Sequence, residues 1–311
     1  MKNFILDVDT GVDDAFALLF AARHPEINLL GVTCVDGNTN LKQVLINTLK
    51  VLDAAEAGDI PVSAGATRPL LGHSLYAEHV HGADGMGNLG IAPSQRKIDP
   101  RSAVELTRDL IEASKEPVTL IPLGPLTNIA LFLRSFPETA KKLERIVLMG
   151  GSASDGNATA TAEFNIWHDP EAAAIVFNSG VPITMYGLDV FMDLRMNSGH
   201  ATSLINSGHE PSMFGGRLIK DMLDRLQYEI TLGDYGAVCT ALYPEWATME
   251  NMKVIVDTTE GPNRGATICD RRPEAFQALD PAHLDAPRAD VVLSIDAEKM
   301  RDLWLKTLAG K

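Results

Sequence analysis

The chain has 311 residues, 45% hydrophobic and 22% charged, with 25 glycines and 17 prolines, which is globular composition and excludes a disordered or low-complexity protein. Its 27 Lys and Arg against 41 Asp and Glu give a formal charge of −14, which repels polyphosphate and argues against nucleic-acid or anionic-membrane binding. Cys34, Cys239 and Cys269 are far apart and form no CxxC pair, so neither a disulfide framework nor a zinc site is expected.

The N-terminus turns acidic at Asp7 before a signal-peptide core can form, and no run of about 18 apolar residues occurs. A cytoplasmic protein without a membrane span is expected. In chain order, residues 4–8 read as a strand, 14–23 as a helix, 28–35 as a strand, 41–55 as a helix and 60–64 as a short strand. Residues 73–96 have no periodicity and are rich in glycine, the character of a binding loop. Helices over 102–113, 128–135 and 170–178 alternate with strands over 118–123, 145–149 and 182–186. A helical stretch spans 197–235, and 252–256 and 291–295 read as returning strands. This alternation predicts an α/β fold: an open, mainly parallel, Rossmann-like sheet flanked by helices. With no repeat and no linker, residues 1–311 are expected to form one domain, with its site at the carboxyl edge of the strands.

The most informative stretch is Asp7-Val8-Asp9-Thr10-Gly11-Val12-Asp13-Asp14, four carboxylates where a strand gives way to a helix. Unit charges 4 Å apart repel by about 1 kcal/mol in water and by several times more where solvent is excluded. A hard cation, Ca²⁺ or Mg²⁺, converts that repulsion into binding. Asp13 and Asp14 also suit a helix start, where acids meet the positive end of the dipole. Capping does not account for Asp7 and Asp9.

Asp7-Val8-Asp9-Thr10-Gly11 is similar to the opening of the haloacid-dehalogenase phosphatases, but no later acidic pair is placed as that family requires. The longer run from Leu6 to Ala15 resembles the nucleoside hydrolases, the inosine-uridine-preferring N-ribohydrolases. Gly37-Asn38, the loop from His81 to Gly87, Gly124-Pro125-Leu126-Thr127-Asn128, Met149-Gly150-Gly151, Asn157, Glu163-Phe164-Asn165, Gly187-Leu188-Asp189 and Asp234 continue that resemblance in order.

The resemblance implies Ca²⁺ held by Asp9, Asp14, the main-chain carbonyl of Leu123 and Asp234. It further implies that Asp9 activates the attacking water and that Asp13, Asn38, Asn157, Glu163 and Asn165 hold the ribose hydroxyls, with Met149 against the sugar. Glu163 and Asn165 are two apart, so an extended backbone would point both to one face. The implied reaction is hydrolysis of the N-glycosidic bond of a ribonucleoside to free base and ribose, in a homodimer or homotetramer.

Familiar members place a His before the last Ca²⁺-binding Asp, associated with protonating the departing base; here Gly233 stands there. His81, His79, Tyr228 and Tyr235 are the remaining candidates for the acid, with His81 foremost. Arg225, on the preceding helical stretch, is expected on the base side. The alternative is a nucleoside- or ribose-binding protein that has lost the leaving-group acid. Asp169-Pro170 is an ordinary helix start and is left out of the site.

Overall fold

A computed structural model describes residues 1–82, 84–87, 89–226, 230–280 and 285–310, with the side chains of Glu78 and His79 outside that description. The strands are β1 (Lys2–Val8), β2 (Ile27–Cys34), β3 (Val62–Ala64), β4 (Val118–Pro122), β5 (Leu143–Met149), β6 (Ile183–Tyr186), β7 (Arg195–Met196), β8 (Ile230–Thr231), β9 (Ala247–Val256), β10 (Thr267–Asp270) and β11 (Arg288–Ile295). One sheet runs in the order β10-β9-β11-β6-β5-β4-β1-β2-β3. It is parallel from β3 to β11, and only β9 and β10 pair antiparallel at one end. The expected α/β class and parallel sheet are what the chain forms.

Alternation along β1 shows how the sheet is covered. Phe4, Leu6 and Val8 enter one buried cluster with the helices Val12–Arg23, Leu41–Ala54 and Ala297–Leu308. Ile5 points the other way, into a cluster with the helices Thr127–Ser135 and Pro170–Phe177. Both faces are therefore apolar and covered, the condition for a buried parallel sheet.

Three departures from the sequence reading concern the elements themselves, around 73–96, 197–235 and 252–256. A four-residue helix, Glu78–His81, stands inside the expected loop. The stretch 197–235 contains two helices, Ser198–Ile205 and Glu210–Leu226, and is closed by the small antiparallel pair β7 and β8. Residues 252–256 are only the inner end of β9, whose outer half is polar and largely exposed and so carries no apolar alternation.

Candidate active site

Four central strands end at one place. β1 delivers Asp9, β2 leads into Gly37-Asn38, β4 into Leu123-Gly124, and β5 ends on Met149. The Asp9 carboxylate fits here because two glycines leave it room. A Cβ at Gly37 would come within 2.2 Å of Asp9 Oδ2, and one at Gly124 within 2.6 Å of Oδ1. The Asn38 amide donates to Asp9 Oδ2 at 2.7 Å, whereas Oδ1 is buried with no hydrogen-bond partner among the described residues.

Asp14 is fully buried in the first turn of the helix Val12–Arg23 and accepts from the amides of Gly11 (2.9 Å) and Asp9 (3.2 Å). It thus closes the helix start as well as joining the acidic group. Ligand oxygens of Asp13, Asp14 and Asp234 all lie within 4.8 Å of one another, a grouping that can hold a metal ion. Burial pushes Asp14 up to about 8, with Asp13 adding repulsion. Burial, followed by the other carboxylates, drives Asp9 and Asp234 well above the ordinary range. An all-oxygen, largely desolvated set of this kind has the donor chemistry suited to a hard cation.

Asp7 faces elsewhere. Its Oδ1 accepts from Asn128 Nδ2 at 2.7 Å and from Thr33 Oγ1 at 2.5 Å, tying the sheet to the helix Thr127–Ser135. Asn128 also donates to Cys34 O and accepts from the Ala66 amide, so this motif residue acts as a clamp between elements. Asp169 caps the helix Pro170–Phe177, accepting from Ala172, as read from the sequence.

A cavity of about 380 Å³ opens above the carboxylates. Asp13, Asn38, His81, Leu123, Met149, Asn157, Glu163, Asn165 and Asp234 line it, whereas Asp9, Asp14 and Arg225 of the sequence-derived site are not part of that lining. A larger groove of about 680 Å³ around Leu133, Lys141 and Pro182 has no acid in its lining and lies apart from this chemistry.

The Glu163-Asn165 pair is not extended as expected. Glu163 is the N-cap of a short helix, Phe164–His168, and its carboxylate accepts from the amides of Asn165, Ile166 and Gly151. The unpaired amides of a helix start recruit the acid and turn the chain. Burial still raises Glu163 to about 7 against those three donors. Asn165 Nδ2 donates to Leu123 O at 2.7 Å and Met149 O at 3.1 Å. The Leu123 carbonyl is therefore already engaged once, keeping a second lone pair.

His81 Nδ1 accepts from the Val12 amide at 3.2 Å and lies 3.7 Å from Asp13 Oδ1. Gly11 makes this approach possible, since a Cβ there would lie 2.7 Å from the same nitrogen. The mouth of the cavity is apolar and aromatic, with Leu75, Tyr76, Val80, Phe164, Trp167 and Phe191. None of these carried a signal of its own in the sequence, although Phe164 and Trp167 sit beside Glu163 and Asn165.

Two expectations on the base side need correction. Arg225 does not line the cavity; its guanidinium is taken up by Asp221 on its own helix and by Val80 O. Tyr235 is fully buried, and its hydroxyl donates to Met300 O at 2.7 Å, which removes it from the candidate acids. Gly233 adopts φ +49°, and a Cβ there would strike the Phe191 ring at 2.4 Å, so Phe191 takes the space a side chain at 233 would need. Tyr228 and the His79 side chain lie outside the described residues.

Fold and site together define an α/β enzyme that gathers carboxylates and amides at the carboxyl edge of its parallel strands. Comparison with known proteins makes this specific. The inosine-uridine preferring nucleoside hydrolase family matches residues 4–302, and the chain belongs to it. The pyrimidine-specific ribonucleoside hydrolase RihB of Escherichia coli (strain SE11) is 38% identical over 282 residues, 86% of this chain and 87% of its own length. A plant nucleoside hydrolase, PpNRh1, superposes with a TM-score of 0.91 at 29% identity, covering 99% of both chains. The purine-preferring ribonucleoside hydrolase from Gardnerella vaginalis superposes at 0.90 with 31% identity, covering 99% of this chain and 98% of its own.

Proposed function

We propose that the protein hydrolyses the N-glycosidic bond of ribonucleosides with Ca²⁺ at Asp9, Asp14, Asp234 and the Leu123 carbonyl. The observation that carries the cation is the grouping of Asp13, Asp14 and Asp234 oxygens within 4.8 Å of one another. Two features of Asp9 support its place as a further ligand: its pKa is raised by burial and then by Asp14 and Asp13, and its Oδ1 is buried with no partner among the described residues. When bound, Ca²⁺ supplies the positive charge that lowers the pKa of the attacking water. Asp9, oriented by the Asn38 amide, takes the water's proton. Asp13, Asn38, Asn157, Glu163 and Asn165 hold the ribose hydroxyls, and Met149 packs against the sugar.

As the bond lengthens, positive charge spreads over the anomeric carbon and ring oxygen, and the carboxylates beneath stabilise it. The aromatic mouth receives the base, with His81 the foremost acid for the departing nitrogen. The relatives' names span pyrimidine and purine preferences, so base preference is not transferred. The reading includes a cytoplasmic homodimer or homotetramer acting in nucleoside salvage; the wide spacing of Cys34, Cys239 and Cys269, with no CxxC pair, fits a reducing compartment. Among the described residues, no helix is long and apolar enough to cross a membrane.

Incubation with a ribonucleoside panel and an assay of reducing sugar tests this reading. Release of ribose with free base supports it. Saturable nucleoside binding without ribose release would instead establish a binding protein.

A further inference from the structure

The helix Glu210–Leu226 reaches the loop carrying His81 through Arg225 and Asp221, neither of which lines the cavity. Arg225 Nη1 donates to the Val80 carbonyl at 2.8 Å, one residue before His81. Its Nε pairs with Asp221 Oδ2 at 2.7 Å, one turn back on the same helix. Asp221 in turn fills the space over Gly87, whose φ is +71° and whose Cβ would lie 2.3 Å from the Asp221 carboxylate. Gly87 donates its amide to His81 O at 3.0 Å, which closes the loop on itself.

One ion pair thus meets the residue before His81 and also Gly87, whose amide closes on the His81 carbonyl. On the other side the loop is pinned by Asn47, which donates to Asp84 O and Thr10 O, and by the Ala77 amide on Asn38 O. Arg225 and Asp221 are part-buried, so the pair is shielded from full solvent screening. Its Nη2 is buried with no partner among the described residues, so the guanidinium is held through two of its nitrogens.

We propose that the Asp221–Arg225 pair is a positioning device for the catalytic reaction: it sets the height of the His81 imidazole over the cavity without touching substrate. This rests on the hydrolase reading with His81 at the cavity wall. Misplacing a reacting group by about 1 Å costs as much as ~10²-fold in rate, so a latch two contacts away has leverage.

The test is a double-mutant cycle between Arg225→Ala and His81→Ala, with kcat and KM measured separately on a ribonucleoside that the wild type turns over. Arg225→Ala is expected to lower kcat by about tenfold or more with little change in KM, the signature of an interaction used in the transition state. Arg225→Lys, which keeps one donor, should recover part of the loss. In a His81→Ala background Arg225→Ala should cost nothing further, because the two act as a unit. Equal losses in both backgrounds would overturn the proposal, as would wild-type kcat in Arg225→Ala.

An imidazole ¹H–¹⁵N correlation spectrum, with the His81 signal assigned by its absence in His81→Ala, gives a readout independent of turnover. The signal should move in Arg225→Ala; an unmoved signal would overturn the proposal. Should Arg225→Ala fail to fold, Asp221→Asn, which weakens the pair at constant volume, is read the same way. If the wild type hydrolyses no ribonucleoside the hydrolase reading fails, and the spectrum alone decides whether Arg225 sets the imidazole.

Discussion

The two oxygens of Asp9 have different surroundings, one fixed by the Asn38 amide and one buried without a partner, and this sets what a substitution should do. Asp9→Asn preserves shape and one potential ligand oxygen but cannot accept the water's proton. Turnover should fall by about 10²–10⁴-fold, the usual contribution of a general base, with the circular dichroism spectrum unchanged. Near-normal turnover would remove Asp9 from that role. Asp13 and Asn165 make the parallel case for the sugar: a 2′-deoxyribonucleoside leaves buried polar groups unpaired, so kcat/KM should favour the ribonucleoside by roughly 10⁴-fold. Equal values for the two substrates would exclude a hydroxyl-reading site. Phe191 bears on the leaving group, because it closes the space at Gly233 with hydrocarbon that donates no proton. His81 then remains as the donor, so His81→Ala should slow uridine and inosine far more than a p-nitrophenyl riboside, which needs no protonation to depart. Equal losses for all three substrates in His81→Ala would remove His81 from the acid role.

At the scale of elements, the site depends on how the helix Val12–Arg23 is seated, because Asp13 and Asp14 occupy its first turn. Trp304 on the helix Ala297–Leu308 is fully buried against it, meeting Phe16 edge to face at 5.6 Å and donating Nε1 to Phe16 O at 3.0 Å. Trp304→Ala should cost about 3–5 kcal/mol in chemical denaturation. A loss below about 1 kcal/mol would show that this contact does not anchor the helix. Such seating explains which elements the sequence reveals. β1, β2, β4 and β5 are buried on both faces, read as apolar runs, and their ends carry Asp9, Asn38, Leu123 and Met149. By contrast β10 has four residues at the sheet edge, with Ile268 exposed, and offers no pattern to read. The short helix Phe164–His168 was equally hidden, since its start depends on Glu163 meeting the Gly151 amide twelve residues back. Asp7 and Asp9 stand out because carboxylates in an apolar strand need a chemical reason, whereas Asp234 is marked only by the family resemblance. Phe191 and the Asp221–Arg225 latch were not legible, because their meaning lies in distances between segments remote along the chain.

For the whole molecule, the acidic excess and the buried carboxylates work in the same direction. The formal charge of −14 attracts cations in general, and the cavity floor concentrates that attraction. Burial raises Asp7 and Glu163 to about 7 and Asp14 to about 8. Each group holds its proton in the folded state to a higher pH than in the unfolded chain. Folding without a cation therefore binds protons between the ordinary carboxylate range and about pH 8, and stability falls as pH rises through that window. A divalent cation reverses the trend by binding the deprotonated cluster of the folded state alone. The increase in Tm produced by saturating Ca²⁺ should accordingly be larger at pH 8 than at pH 5, and Asp14→Ala should abolish most of it. At pH 5 the protons already neutralise the cluster and compete with the cation, whereas at pH 8 the cation replaces charges that otherwise only repel. A calorimetric Tm shift of the same size at both pH values, or one that survives in Asp14→Ala, would place the cation binding outside the Asp13, Asp14 and Asp234 grouping.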